Sequence, residues 1–223
     1  MRPAIGPRLI HLVGVAKSYP GVEGTPEVVL RPSTITLPAD RRVAVLAGRK
    51  AGKSTLLKIL GRNLAPDQGE VITAAQLSPV VNSGGLLHPQ LSGMENLQFL
   101  ARAFCVDADL LLLAAHAFAG PDLRLSGPMK TQDAPSRRLL ETALAIVLPF
   151  DCYLFDDASQ LPPALFGRCI EAADKRQAGI IFATNQPRLA RQFADVTVVI
   201  NDASLYPFTR ADKAIQFFER HAR

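Results

Sequence analysis

Cysteine is scarce and scattered. Cys105, Cys152 and Cys169 are the only thiols in 223 residues, and no two form a CxxC pair. That spacing argues against a disulfide framework and a zinc site, and it fits a reducing cytosolic compartment. Four histidines, His11, His88, His116 and His221, do not cluster and read as surface side chains. Aromatic residues make up 6% of the chain and its basic residues are dispersed. The net charge of +5 therefore reads as a solvated surface, and no nucleic-acid partner is expected. Long apolar runs are missing too. The longest, Leu110 to Ala119, contains His116 and is too short to span a bilayer. The start, Met1-Arg2-Pro3-Ala4, lacks the apolar run of a signal peptide. A soluble chain is expected. Hydrophobic residues, at 48%, suffice for the core of one large domain.

Along the chain, Leu9 to Val15 reads as a strand with a turn at Tyr19-Pro20-Gly21, and Ser33 to Leu37 alternates like a second strand. Arg42 to Leu46 is a short apolar run leading into a loop. Leu56, Leu57 and Leu60 then recur at helical spacing, so a helix is expected from Lys53 to Gly61. Short strands follow at Glu70 to Ile72 and Leu77 to Val81. Three helices are expected, from Ser92-Gly93 to Phe104, over 108–119, and from Pro135 to Leu148. Strands at Cys152 to Phe155, Ile180 to Ala183 and Val196 to Ile200 then alternate with helices at Pro162 to Arg176, Arg188 to Phe193 and Asp212 to His221. Such alternation implies an α/β fold with a largely parallel sheet. The helices over 92–149 interrupt it as an inserted subdomain, leaving 1–91 and 150–223 as the core.

The segment Ala47-Gly48-Arg49-Lys50-Ala51-Gly52-Lys53-Ser54-Thr55 lies between an expected strand and an expected helix. A phosphate needs several backbone N–H donors and the positive end of a helix, and a small-residue loop lets the backbone curl around it. Lys53 would reach the β- and γ-phosphates, and the Ser54 hydroxyl would hold Mg²⁺. The full pattern is Gly, four residues, then Gly-Lys-Ser/Thr. Ala47 stands at the first glycine, so the match fails there by one methyl group. Lys50 puts a long cation where a small residue is usual, adding charge at the phosphates or crowding them.

A phosphate-loop enzyme also needs a carboxylate at the end of a neighbouring strand. Cys152-Tyr153-Leu154-Phe155-Asp156-Asp157 supplies an apolar strand ending in two acids. Asp156 is the candidate for the Mg²⁺ shell, and Asp157 the candidate for polarising an attacking water. Taken alone, the pair reads equally as a cap after a buried strand.

With these residues in view, the chain resembles the ATP-binding subunits of ABC exporters for bacterial capsular polysaccharide and O-antigen. The resemblance covers nearly its whole length. It rests on Val43-Ala44-Val45-Leu46 before the loop, Ser54-Thr55-Leu56-Leu57 after it, and Ala65-Pro66-Asp67-Gln68-Gly69-Glu70-Val71. Its more specific marker is Gly84-Gly85-Leu86-Leu87-His88-Pro89-Gln90-Leu91-Ser92-Gly93-Met94-Glu95-Asn96-Leu97, and Asp202 to Phe218 is similar to the family's last strand and helix. The resemblance implies a P-loop NTPase of ABC type: a RecA-like core, an antiparallel β-subdomain and an inserted helical subdomain. It implies ATP and Mg²⁺ as ligands and a second ATP-binding subunit, a copy or a relative, that completes each site with a signature loop. It further implies an integral-membrane permease as partner and a place on the cytoplasmic face of the bacterial inner membrane. Tyr19 fits the aromatic that stacks on adenine, and reads otherwise as a turn tyrosine. Residues 48–55 fit the phosphate loop, and Ser54 with Asp156 fits the metal site.

Several positions depart from the family pattern. Its catalytic Glu is Asp157 here, one methylene shorter. Its switch His is Asn185, in Ala183-Thr184-Asn185-Gln186-Pro187, which can donate a hydrogen bond but cannot become a cation. Its water-positioning Gln is absent, with Asn82 or Ser83 in that stretch. Leu125-Ser126-Gly127-Pro128-Met129 looks like the signature but lies too far ahead of Asp156 for the family spacing. The signature register therefore falls on Asp133-Ala134-Pro135-Ser136-Arg137, where an acid replaces Ser and Pro135 replaces Gly. Proline offers no N–H to a phosphate, and Asp133 would repel it. Losing a base or a transition-state donor commonly costs ~10² or more in rate. The expectation is an exporter ATP-binding subunit with weakened hydrolysis. The alternative is a non-catalytic ABC protein acting as a regulator or as half of a heterodimer. A P-loop small-molecule kinase fits less well, given Gly93-Met94-Glu95-Asn96 and the ABC-like tail.

Overall fold

The computed structural model describes residues 8–21, 24–83 and 85–221. The N-terminal stretch Met1-Arg2-Pro3-Ala4 and Gly84 lie outside the described residues. In chain order the elements are β1 (Leu9–Pro20), β2 (Pro26–Pro38), β3 (Arg42–Leu46), α1 (Lys53–Leu60), β4 (Gln68–Thr73), β5 (Leu77–Val81), α2 (Gly93–Ala103), α3 (Ala108–Ala119) and α4 (Ala134–Val147). They continue with β6 (Cys152–Phe155), α5 (Pro163–Lys175), β7 (Gly179–Thr184), α6 (Pro187–Phe193), β8 (Val196–Asn201), β9 (Ser204–Phe208) and α7 (Ala211–His221). The chain divides into two compact units, Met1–Ser78 with Phe150–Arg223, and Pro79–Pro149.

The first unit carries two sheets. A six-stranded sheet runs β5-β6-β7-β3-β8-β9, of which β5 belongs to this unit only through Leu77 and Ser78. Its strands β6, β7, β3 and β8 pair in parallel, and β9 closes the edge antiparallel to β8. Strands β6 and β7 are buried at every position, which explains their unbroken apolar runs: a parallel strand covered on both faces has no solvent side to alternate toward. Helices α1 and α5 pack on β7, α6 on β3 and α7 on β8. Phe166 of α5 is the hub of the core, meeting Phe155, Phe182 and Phe193 at ring-centroid distances of 5.7, 5.2 and 5.3 Å. These edge-on contacts suit the ring quadrupoles. The backbone N–H of Leu154 donates to Ser78 Oγ at 2.9 Å, so the start of β5 is tied to the sheet through a side chain.

The second sheet is antiparallel, in the order β2-β1-β4. The sequence reads β1 as ending at Val15, yet it continues to Pro20 beside a correspondingly longer β2. The extension crosses three register shifts, between Leu12 and Val15, Val15 and Lys17, and Lys17 and Ser18. Bulges of this kind break the two-residue alternation by which a strand is recognised. Gly69 lets β4 approach: a Cβ there would lie 2.2 Å from the Val13 carbonyl oxygen. Strand β9 is expected from the family resemblance alone, since Pro207 masks its periodicity.

The second unit holds α2, α3 and α4. Helix α2 begins in a reciprocal cap, with Ser92 and Glu95 each satisfying the other's backbone N–H. Asn96 is fully buried and organises the preceding loop. Its Oδ1 accepts from the His88 backbone N–H at 2.6 Å, and its Nδ2 donates to the carbonyls of His88 and Ser92 at 3.1 and 2.9 Å. At Gly93 a Cβ would meet Leu125 Cα and Leu140 Cδ2, both at 2.8 Å, so only glycine permits that crossing. No helix among the described residues is long and apolar enough to cross a membrane.

Candidate functional site

Tyr19, residues 48–55, Asp156, Asp157 and Asn185 all fall in the first unit. The loop leaves the buried end of β3, where the Ala47 N–H donates to the Thr184 carbonyl of β7 at 3.2 Å. It turns at Lys50, with φ of 58°, and again at Gly52, with φ of 92°. Lysine in the left-handed region occupies a conformation that favours glycine. At Gly52 the requirement is also steric, because a Cβ would lie 2.8 Å from both Val29 Cγ1 and the Val29 carbonyl oxygen. Helix α1 starts at the next residue without any side-chain cap. Its first N–H groups therefore face the loop as donors for an anion.

Lys53 bends back over this loop. Its ammonium donates to the Ala47 carbonyl at 3.0 Å and also to the Gly48 carbonyl. Burial holds its pKa below the usual lysine value, opposed by the charges of Asp157 and Asp156. Ser54 Oγ donates to Asp156 Oδ1 at 3.0 Å, joining the start of α1 to the end of β6. The Tyr19 hydroxyl and Thr55 Oγ1 lie 3.3 Å apart. A pocket of about 300 Å³ is lined by residues 50–55, Tyr19, Glu27 and Val29, and not by Asp156. Gly48 and Arg49 are not among its lining residues.

Asp157 is held in an unusual way. Its φ of 50° is left-handed, and it opens a short 3₁₀ turn at Ala158–Gln160. Its carboxylate accepts from Ser159 Oγ and, at 2.8 Å, from Gln160 Nε2. Burial pushes the Asp157 carboxyl up, but hydrogen bonds from Ser159 and Gln160 together with the Lys53 charge outweigh it, leaving it below the ordinary value. A carboxylate that already holds two donors and has lowered proton affinity is a weak general base. Asn185 follows β7 and is exposed. Among the described residues, no hydrogen bond joins its side chain to the rest of the site.

The remaining candidate positions lie in the second unit. Asp133 caps α4: its Oδ1 accepts from the Ser136 N–H at 2.8 Å and its Oδ2 from Ser136 Oγ at 3.0 Å. The Ser136 backbone bond foremost lowers the Asp133 pKa. Pro135 occupies the first turn of that helix. Leu125–Met129 lies ahead of it, with Ser126 accepting from Gln132 Nε2 at 3.2 Å and Pro128 bridged to Ser92, and does not begin a long helix. Asn82, with φ of 67°, buries its side-chain amide, and its backbone N–H donates to Glu141 Oε1 at 3.2 Å.

Glu27 and Val29 escape a reading by motif. They reach the pocket through the register of β1 on β2, which sets Glu27 opposite Tyr19. No local pattern in the sequence reports such a pairing.

The donor set suits a hydrated divalent cation beside phosphate. Ser54 and Asp156 present hard oxygens in contact, and Mg²⁺ commonly takes one or two protein oxygens with water and substrate phosphate completing its shell. Among the described residues there is no cluster of three or more His, Cys, Asp or Glu side chains that could hold a metal.

No family profile matches the chain. Curated proteins do. The capsule polysaccharide export ATP-binding protein CtrD of Neisseria meningitidis is 27% identical over 213 residues, covering 94% of this chain and 98% of that protein. The ATP-binding protein BexA of Haemophilus influenzae gives the same identity and coverage. The polysialic acid transport ATP-binding protein KpsT of Escherichia coli is 28% identical, covering 86% of this chain and 90% of that protein. Among solved structures, the ATP-binding subunit of an ABC transporter superposes with a TM-score of 0.77 at 19% identity, covering 94% of this chain and 93% of its own. A dimeric ATP-binding cassette in a post-hydrolysis state, bound to ADP and Pi, superposes with a TM-score of 0.75 at 18% identity, covering 90% and 98%. The fold of this chain is that of an ABC ATPase.

Proposed function

We propose that this homologue of the capsule-export ATP-binding proteins is the ATP-binding subunit of a polysaccharide-type ABC exporter. The observation that carries the reading is the joined cradle. A phosphate loop at the end of β3 presents Lys53 and uncapped helix N–H groups, and its Ser54 touches Asp156 at the end of β6. Lys53 binds the outer phosphates by exchanging the Ala47 and Gly48 carbonyls for phosphate oxygens. Backbone N–H groups of the loop and of α1 take the remaining charge. Ser54 and Asp156 would hold Mg²⁺, which would supply charge neutralisation to the phosphates. Tyr19 offers a ring face for the base.

Hydrolysis is weak in this reading. Asp157 is the base, yet Ser159 and Gln160 occupy its oxygens, and Asn185 cannot supply the charge of a histidine. The protein pairs with a copy of itself or a related ATP-binding subunit, and couples nucleotide binding to an integral-membrane permease at the cytoplasmic face of the inner membrane. The engagement of Asp157 also favours a second reading, a non-hydrolysing nucleotide-binding partner or regulator.

Titration with ATP and Mg²⁺ beside a steady-state ATPase assay tests both. Binding that disappears in Lys53→Ala, with turnover well below an ordinary transporter rate, is expected. Ordinary turnover that depends on Lys53 removes the second reading. The absence of binding with Mg²⁺ present removes both.

A further inference from the structure

The nucleotide pocket contains one acid among its lining residues, and the phosphate chemistry has no use for it. Glu27 of β2 lines the pocket together with Tyr19, Lys50 and Lys53. It stands directly opposite Tyr19 in the antiparallel pairing of β1 with β2. Residues directly opposed in such a pair share a face, with their Cβ atoms roughly 4.5–5.5 Å apart. Whatever lies on the Tyr19 ring therefore has a carboxylate beside it.

That carboxylate is available. Glu27 is exposed, and among the described residues no hydrogen bond or ion pair engages it. Lys17, two residues before Tyr19 on β1, is committed elsewhere. Its ammonium bonds Asp67 at 2.5 Å and lies 5.8 Å from the Tyr19 ring centroid.

Charge divides the pocket. Lys50, Lys53 and the N-terminus of α1 form a positive wall, and Glu27 stands on the strand wall. A polyphosphate is drawn to the first wall and repelled from the second. The uncharged part of a nucleotide is thereby directed toward Tyr19 and Glu27. A carboxylate there accepts from N–H or O–H groups and offers nothing to a bare acceptor edge. The nucleoside carries such donors on its ribose hydroxyls and on its base.

We propose that Glu27 is a specificity-determining residue, accepting a hydrogen bond from an N–H or O–H donor of the bound nucleoside. The proposal rests on nucleotide binding at this pocket. It adds a hydrogen-bond acceptor for the nucleoside to a site that otherwise offers phosphate donors and the Tyr19 ring face.

The test compares the full chain with Glu27→Ala and Glu27→Gln by calorimetric titration in the presence of Mg²⁺. Five probes are used: ATP, GTP, 2′,3′-dideoxy-ATP, purine riboside triphosphate and inorganic tripolyphosphate. Hydrogen bonds to charged groups are strong enough for Glu27→Ala to weaken binding of the preferred nucleotide about tenfold or more. Glu27→Gln, which keeps a neutral acceptor, falls between. Tripolyphosphate binds wild type and variants alike, or the variants slightly better. If the donor is ribose, dideoxy-ATP binds all three proteins equally. If it is the base, the order among ATP, GTP and purine riboside triphosphate collapses in the variants. A common factor across all five probes, or no change, overturns the proposal and leaves the nucleotide reading standing. Wild type that binds none of the probes overturns both.

Discussion

Glu141 provides a quantitative test of the helical unit. It lies on α4, is 7% exposed, and accepts the Asn82 backbone N–H at 3.2 Å. Burial pushes its carboxyl up from 4.5 to about 7, with the Asn82 hydrogen bond and the Arg138 charge pulling the other way. The unfolded chain thus releases this proton near pH 4.5 while the native protein keeps it until about pH 7. Between those values the native state binds the extra proton, so stability falls as pH rises. The contribution is fully present below the unfolded value and lost through the native one. At ~1.4 kcal/mol per pH unit the interval amounts to about 3 kcal/mol. Glu141→Gln preserves the shape and an acceptor for Asn82 but cannot ionise. Urea denaturation across pH 4–8 should show wild type and variant nearly equal at the acid end, with the variant ahead by up to about 3 kcal/mol at the alkaline end. Parallel curves, or a variant less stable at the alkaline end, would refute the assignment of a neutral buried acid.

Two further outcomes follow from the site. Gly52→Ala places a methyl against the Val29 backbone in a left-handed residue. It should cost ~1–2 kcal/mol or more from the backbone alone and reduce ATP binding, read by thermal unfolding and titration; unchanged values for both would count against the loop geometry. Removing both donors in Ser159→Ala/Gln160→Ala frees Asp157 and raises its proton affinity, since those bonds lower it. ATP turnover should rise several-fold, with the acid limb of its pH profile moving upward; an unchanged rate and profile would separate Asp157 from the chemistry.

The elements that could be read in advance are those whose local pattern coincides with their burial. Val43–Leu46 and Cys152–Phe155 are apolar throughout because both faces are covered. Helices α4, α5 and α6 declare their starts with proline in the first turn. Strands β1 and β2 could not be measured from sequence because their bulges shift the alternation partway along. The same distinction runs through the site. Lys53 and Ser54 follow a contiguous motif with a fixed local geometry. The engagement of Asp157 depends on a left-handed φ and two later side chains. Glu27 is delivered by cross-strand pairing, so neither was visible as a linear pattern.

Lys53 gives the cradle a built-in placeholder. With its nitrogen resting on the Ala47 and Gly48 carbonyls, Lys53 ties the far end of the loop back to its beginning. Binding then resembles a change of ligands around one ammonium more than the folding of a segment. Little apolar surface is newly hidden in that exchange, and little chain entropy is surrendered. For the phosphate end of the site the thermodynamic character is a small heat-capacity change and a strong sensitivity to competing anions. Discrimination among guests must then come from groups outside the loop.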